Sequence, residues 1–124
     1  MTDHILIVDD DRLVADTLCL IFQKHGFAAS VAYSADEGLE LARALRPQLL
    51  LCDVTMPNKS GLELMAEVDE EMPECRVIVL TAYFSNLVKA NEQAKKMPNP
   101  IRVMMKPCAP VDLLREVGAI LRRA

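Results

Sequence analysis

The sequence predicts an α/β fold, a five-stranded parallel sheet with helices on both faces. Two observations predict it. Short apolar runs alternate strictly with helical patterns along all 124 residues, and such alternation gives a parallel sheet covered by helices on both sides. One run, Leu49 to Cys52, is unbroken and leads straight into Asp53. That suits a strand buried on both faces and ending in a carboxylate. Taken alone, Asp53 also suits a turn; the rest of the chain decides between the two.

The elements follow in order. His4 to Val8 is a β-branched apolar run, hence a buried strand, and Asp9, Asp10 and Asp11 follow it. Val14, Leu18, Ile21 and Phe22 then mark one face of a helix that ends at Lys24-His25-Gly26, with Gly26 as the residue past its C-cap. Phe27 to Tyr33 reads as the second strand. Ser34-Ala-Asp-Glu37 is a capping box opening a helix through Leu45. Pro47 stops that helix, and the strand ending at Asp53 follows. A second capping box, Ser60-Gly-Leu-Glu63, opens a helix with Leu62, Met65 and Val68 inward. Arg76 to Thr81 is the fourth strand, Ser85 to Met97 a fourth helix with a weak apolar face, and Ile101 to Met105 the fifth strand, broken by Lys106-Pro107. Pro110 suits the first position of a fifth helix, which buries Leu113, Leu114, Val117, Ile120 and Leu121.

Composition narrows the function. The length fits one domain, residues 1–124. A net charge of −4 with no long run of either sign argues against direct nucleic-acid contact. Cys19, Cys52, Cys75 and Cys108 lie far apart, without metal-ligand or redox spacing. They read as reduced thiols in a cytoplasmic protein. No leader peptide and no run of membrane-spanning length is expected.

Right-handed crossovers bring the carboxyl ends of the strands to one edge of the sheet, where ligands collect in open α/β folds. Asp9, Asp10, Asp53, Thr81 and Lys106 all fall there. Three carboxylates in one site repel, and Mg²⁺, a hard cation taking oxygen ligands, relieves that repulsion. Asp9, Asp10 and Asp53 supply the ligands, with the Thr55 carbonyl as a further one. Lys106 adds an ammonium and Thr81 a hydroxyl, as needed to neutralise a phosphoryl group during transfer. Asp53 is the nucleophile, since a carboxylate forms an acyl phosphate. Asp11 reads as a solvated first-turn acid, His4 as an exposed strand start and His25 as a helix C-terminal residue.

Asp9-Asp10, Asp53 with Met56-Pro57 and Gly61, Thr81-Ala82 and Lys106-Pro107, in this order, resemble the receiver domain of bacterial two-component response regulators of the chemotaxis-regulator type. The resemblance covers essentially the whole chain. It implies a flavodoxin-like doubly wound sheet with strand order 2-1-3-4-5 and five helices. It also implies Mg²⁺-dependent transfer of a phosphoryl group from a sensor histidine kinase or phosphotransfer protein to Asp53. Asp10 would then ligate the metal directly and Asp9 through water, while Thr81 and Lys106 bind the phosphoryl group. Such a domain is a switch, not an enzyme, its chemistry confined to its own Asp53. Its output reaches an effector domain or downstream protein through the face made by the helix Ser85–Met97, the strand Ile101–Met105 and the last helix; homodimerisation is open.

The chain departs from the family pattern on that face. Val103 stands where receivers commonly carry an aromatic switch residue, Cys108 follows Lys106-Pro107, Ala109 precedes Pro110 without a polar cap, and Pro98-Asn-Pro100 precedes the fifth strand. These changes point to intact phosphorylation chemistry with a specialised output face, and they keep a phosphorylation-independent interaction domain as the alternative. In the family, the positions of Thr55 and Tyr83 tune dephosphorylation, and a bulky Tyr83 would shield the acyl phosphate. A haloacid-dehalogenase-type hydrolase needs an acid two residues after the nucleophile, where Thr55 stands. A flavin or nucleotide carrier needs a glycine-rich turn that the four glycines do not form.

Overall fold

Side-chain alternation in the strands sorts the core into two layers. The computed structural model describes residues 3–54, 56, 59–81, 88–89, 91–92, 95–96, 101–106 and 108–121. Five strands, β1 (His4–Val8), β2 (Ala28–Ala32), β3 (Leu49–Asp53), β4 (Arg76–Thr81) and β5 (Ile101–Met105), form one sheet in the order β2-β1-β3-β4-β5. All four pairings are parallel. Four helices are described in full: α1 (Arg12–Lys24), α2 (Ala35–Leu45), α3 (Gly61–Glu71) and α4 (Pro110–Leu121). Of the further helix expected over Ser85 to Met97, Val88, Lys89, Asn91, Glu92 and Lys95 are helical and Lys96 is in a turn; Ser85 and Met97 lie outside the described residues.

Leu6, Val8, Leu50, Cys52, Val77 and Val79 face α2 and α3; Ile5, Ile7, Leu49, Leu51, Ile78 and Leu80 face α1 and α4. β3 is buried along its whole length, as its unbroken apolar run requires. No described helix is long and apolar enough to cross a membrane.

Local chemistry sets the element ends. Ser34 Oγ accepts from the Glu37 N–H and Ser60 Oγ from the Glu63 N–H, so both capping serines act as the sequence predicts. Glu37, however, accepts from the Tyr33 N–H, at 3.0 Å. That bond shortens the second strand. The Phe27 N–H bonds to the Phe22 carbonyl at the end of α1, so neither Phe27 nor Tyr33 has its N–H free for the ladder, and β2 is Ala28–Ala32. Gly26 has φ 89°, the left-handed conformation that glycine adopts without strain.

Three expectations change in detail. In α3 the fully buried face is Leu64, Met65 and Val68, with Leu62 only partly buried against the core. His4 is half-buried and hydrogen-bonded to Ser30 Oγ at 2.9 Å, not exposed. In the last helix Leu113 and Val117 are buried, while Leu114, Ile120 and Leu121 pack at its margin.

Candidate functional site

Parallel pairing delivers the strand ends to one edge. Val8 pairs with Cys52, Asp53 with Leu80, and Thr81 with Met105. Asp9, Asp53, Thr81 and Lys106 therefore follow or end neighbouring strands, and the site is inherited from the sheet.

Asp9 is 2 % and Asp53 8 % exposed, whereas Asp10 is exposed. One carboxylate oxygen from each lies within 4.8 Å of the others. Lys106 crosses the gap between the two buried acids, its Nζ 3.1 Å from Asp9 Oδ2 and 3.4 Å from Asp53 Oδ1. Burial alone would lower the pKa of this ammonium. The charges of Asp53 and Asp9 outweigh burial and hold it above lysine's ordinary value. Lys106 is also fixed through its backbone, because its N–H donates to the Thr81 carbonyl at 2.8 Å. Thr81 itself is fully buried at the end of β4.

The first acid is held by the second-next residue. The Asp11 N–H donates to Asp9 Oδ1 at 2.9 Å, and the Asp9 N–H donates to the Ala32 carbonyl at 3.1 Å. Asp11 is the N-cap of α1, its Oδ1 accepting from the N–H groups of Leu13 and Val14. The expectation of a first-turn acid is thus corrected by one position: the N-terminus of α1 attracts Asp11 through hydrogen bonds to the cap. Asp11 is not among the three clustered acids.

Three carboxylates with only oxygen donors, two of them buried, could hold a metal ion, and the chemistry of the set fits a hard divalent cation. Of the residues predicted from sequence, Asp9, Asp10, Asp53 and Lys106 come together, with Thr81 at the adjoining strand end. Thr55, Tyr83 and Pro107 lie outside the described residues. Val103 is partly buried against the α2–α3 side of the core, and Cys108 against the α1–α4 side.

Two features were missed. A Cβ at Gly61 would stand 2.0 Å from the Asp53 carbonyl oxygen, so only glycine lets α3 begin this close to the site strand. The motif that includes Gly61 marks the position, but not the contact. The Arg12 guanidinium stands 4.1 Å from the Tyr33 ring centroid, a contact between elements that no local pattern encodes.

Comparison with known proteins gives one result. A family model described as the response regulator receiver domain matches residues 5–118. The response regulator MprA of Mycobacterium ulcerans (strain Agy99) is 32% identical over 123 residues, covering 99% of this chain and 52% of its own length. The chain thus spans about half the length of the curated relatives it matches. A CheY-like response regulator receiver domain protein from Methanospirillum hungatei JF-1 superposes with a TM-score of 0.88 at 28% identity, covering 96% of this chain and 93% of that one. The chemotaxis protein CheY4 of Vibrio cholerae gives 0.86 at 23% identity, covering 98% and 100%; at that identity the likeness is one of fold.

Proposed function

The chain belongs to the response regulator receiver domain family, and from that premise we propose that it is a phosphoacceptor switch of a two-component system with Asp53 as the acceptor. The observation that carries this is the seat of Lys106 between Asp9 and Asp53, with Asp10 beside them. An ammonium bridging two buried carboxylates at a sheet edge is matched to an incoming phosphoryl group, whose charge it would take up.

In this reading Asp53 attacks phosphorus while the P–N bond of a phosphohistidine breaks and the imidazole leaves. The donor is a sensor histidine kinase or phosphotransfer protein. Lys106, already drawn to Asp53, follows the new negative charge onto the phosphoryl oxygens. Thr81 supplies its hydroxyl from the neighbouring strand end. Asp9, Asp10 and Asp53, with the Thr55 carbonyl, would hold Mg²⁺, which when bound supplies further neutralisation of the phosphoryl oxygens. The chain is a switch that modifies only itself, and residues 1–124 make up one receiver domain. Its output to an effector domain or downstream protein runs through the face that includes β5 and α4, and its setting is the cytoplasm.

Incubation with acetyl phosphate and Mg²⁺, followed by intact-protein mass spectrometry, tests this. The expected result is one phosphoryl adduct, lost on Asp53→Asn and on chelation of the metal. A folded wild-type protein that stays unmodified refutes the proposal.

A further inference from the structure

Three carboxylates meet in the site, and the Lys106 ammonium lies between two of them, Asp9 and Asp53. A second cation stands close in sequence. Arg12 opens α1 two residues after Asp10, and guanidinium pairs strongly and bidentately with carboxylate. In the acid cluster it would be a competitor that any divalent ion must displace.

The structure gives Arg12 another partner. Its guanidinium stands over the ring of Tyr33, 4.1 Å from the centroid. The ring is anchored at its hydroxyl, and the chain on which it stands is anchored at the backbone. The Tyr33 hydroxyl donates to Asp16 Oδ1 at 2.6 Å, and its N–H donates to Glu37 Oε1 at 3.0 Å. The preceding carbonyl, of Ala32, accepts from the N–H of Asp9 itself. Asp16 follows Arg12 by one helical turn, so its charge lies on the same face of α1 and favours the same placement. Tyr33, Arg12 and Asp9 are therefore linked around the rim of the site.

We propose that Tyr33 is a positioning residue for the cation site: by holding the Arg12 guanidinium over its ring, it keeps Arg12 from pairing with the acid cluster and leaves the carboxylates open to a divalent cation. The inference rests on the reading that Asp9, Asp10 and Asp53 hold such an ion.

The test is Mn²⁺ binding to the full chain, read from the electron paramagnetic resonance signal of free Mn²⁺, with Mg²⁺ as competitor. Tyr33→Leu should weaken binding about two- to fivefold, the worth of an exposed cation–π pair. Tyr33→Phe keeps the ring and loses only the hydroxyl bond to Asp16, so it should bind more tightly than Tyr33→Leu. In an Arg12→Ala background, Tyr33→Leu should have no effect, because the competitor is gone. Tyr33→Met keeps bulk against the core and gives the same reading if the leucine variant does not fold. Unchanged binding in Tyr33→Leu overturns the inference, and so does weakening that persists without Arg12; in both cases the site itself stands. A wild-type protein that takes up no Mn²⁺, or one indifferent to Asp10→Asn, removes the cation site and the inference with it.

Discussion

Replacing Gly61 by alanine tests whether α3 positions Asp53. The new Cβ would lie 2.0 Å from the Asp53 carbonyl oxygen, 2.8 Å from its carbonyl carbon and 3.0 Å from Val54 Cα. Comfortable heavy-atom contact is about 3.5 Å, so the backbones must part by about 1 Å or more. Neither yields freely. The Val54 N–H bonds to the Leu80 carbonyl and the Gly61 N–H to the Val54 carbonyl, both at 2.9 Å. Overpacking of this kind costs about 1–3 kcal/mol, and the helix preference for alanine returns at most about 1 kcal/mol.

A net loss of about 2 kcal/mol lowers the Tm of a domain this size by roughly 8 °C. The chemical effect should exceed the loss of stability. A displacement of about 1 Å at a reacting group costs on the order of a hundredfold in rate, so phosphorylation by acetyl phosphate should slow ten- to a hundredfold at a temperature where the variant is fully folded. Gly118→Ala is the control: a Cβ there meets nothing within 4 Å, and the variant should be as stable as the wild type or more so. Paired calorimetry and rate measurements decide the matter. A Gly61→Ala protein with wild-type Tm and wild-type rate would refute the reasoning.

Other consequences concern charge, thiols and the output face. Lys106→Ala leaves the acid cluster without its bridging ammonium; it should cost about 1–3 kcal/mol in urea unfolding, discounted for the partial exposure of the lysine. Mg²⁺ should then restore more stability in the variant than it adds to the wild type, and equal increments would count against the paired site. Burial pushes the Cys52 and Cys75 thiols up to about 12, so both should resist Ellman's reagent at pH 8 in the native protein and react once it is unfolded. A thiol whose pKa is raised by folding stabilises the native state fully below its unfolded value, near 9, and that stability is lost as pH rises toward 12. Cys52→Ala should therefore flatten the alkaline decline seen in urea titrations between these limits. Tyr83→Ala should shorten the lifetime of the acyl phosphate, and an unchanged decay rate speaks against shielding. Beryllofluoride should leave Val103 in place, since a β-branched side chain has few rotamers; a crystal structure in which Val103 and the helix before β5 shift together would refute a specialised output face.

The gathering of Asp9, Asp10, Asp53 and Lys106 at one edge was legible in the sequence because these residues are tied to strand ends, and strand ends are written in local pattern. The apolar run before Asp53 fixes both its burial and its edge, and the same holds for Asp9 after His4–Val8, whereas the run Ile101–Met105 fixes only the edge for the partly exposed Lys106. Parallel pairing in the order β2-β1-β3-β4-β5 then brings those ends together at one edge. What the sequence does not show is how separate elements meet. The length of β2 depends on Glu37 taking the Tyr33 N–H, and the face of α3 depends on how the helix is seated on its neighbours, so that Leu64 as well as Met65 and Val68 is fully enclosed and Leu62 is not. Asp11 joins the two kinds of information. Its side chain caps α1, a role that local chemistry permits, while its N–H holds Asp9 Oδ1. The first acid of the site is thus oriented by the same residue that starts the first helix, so a change that disturbs that cap must also disturb the acid.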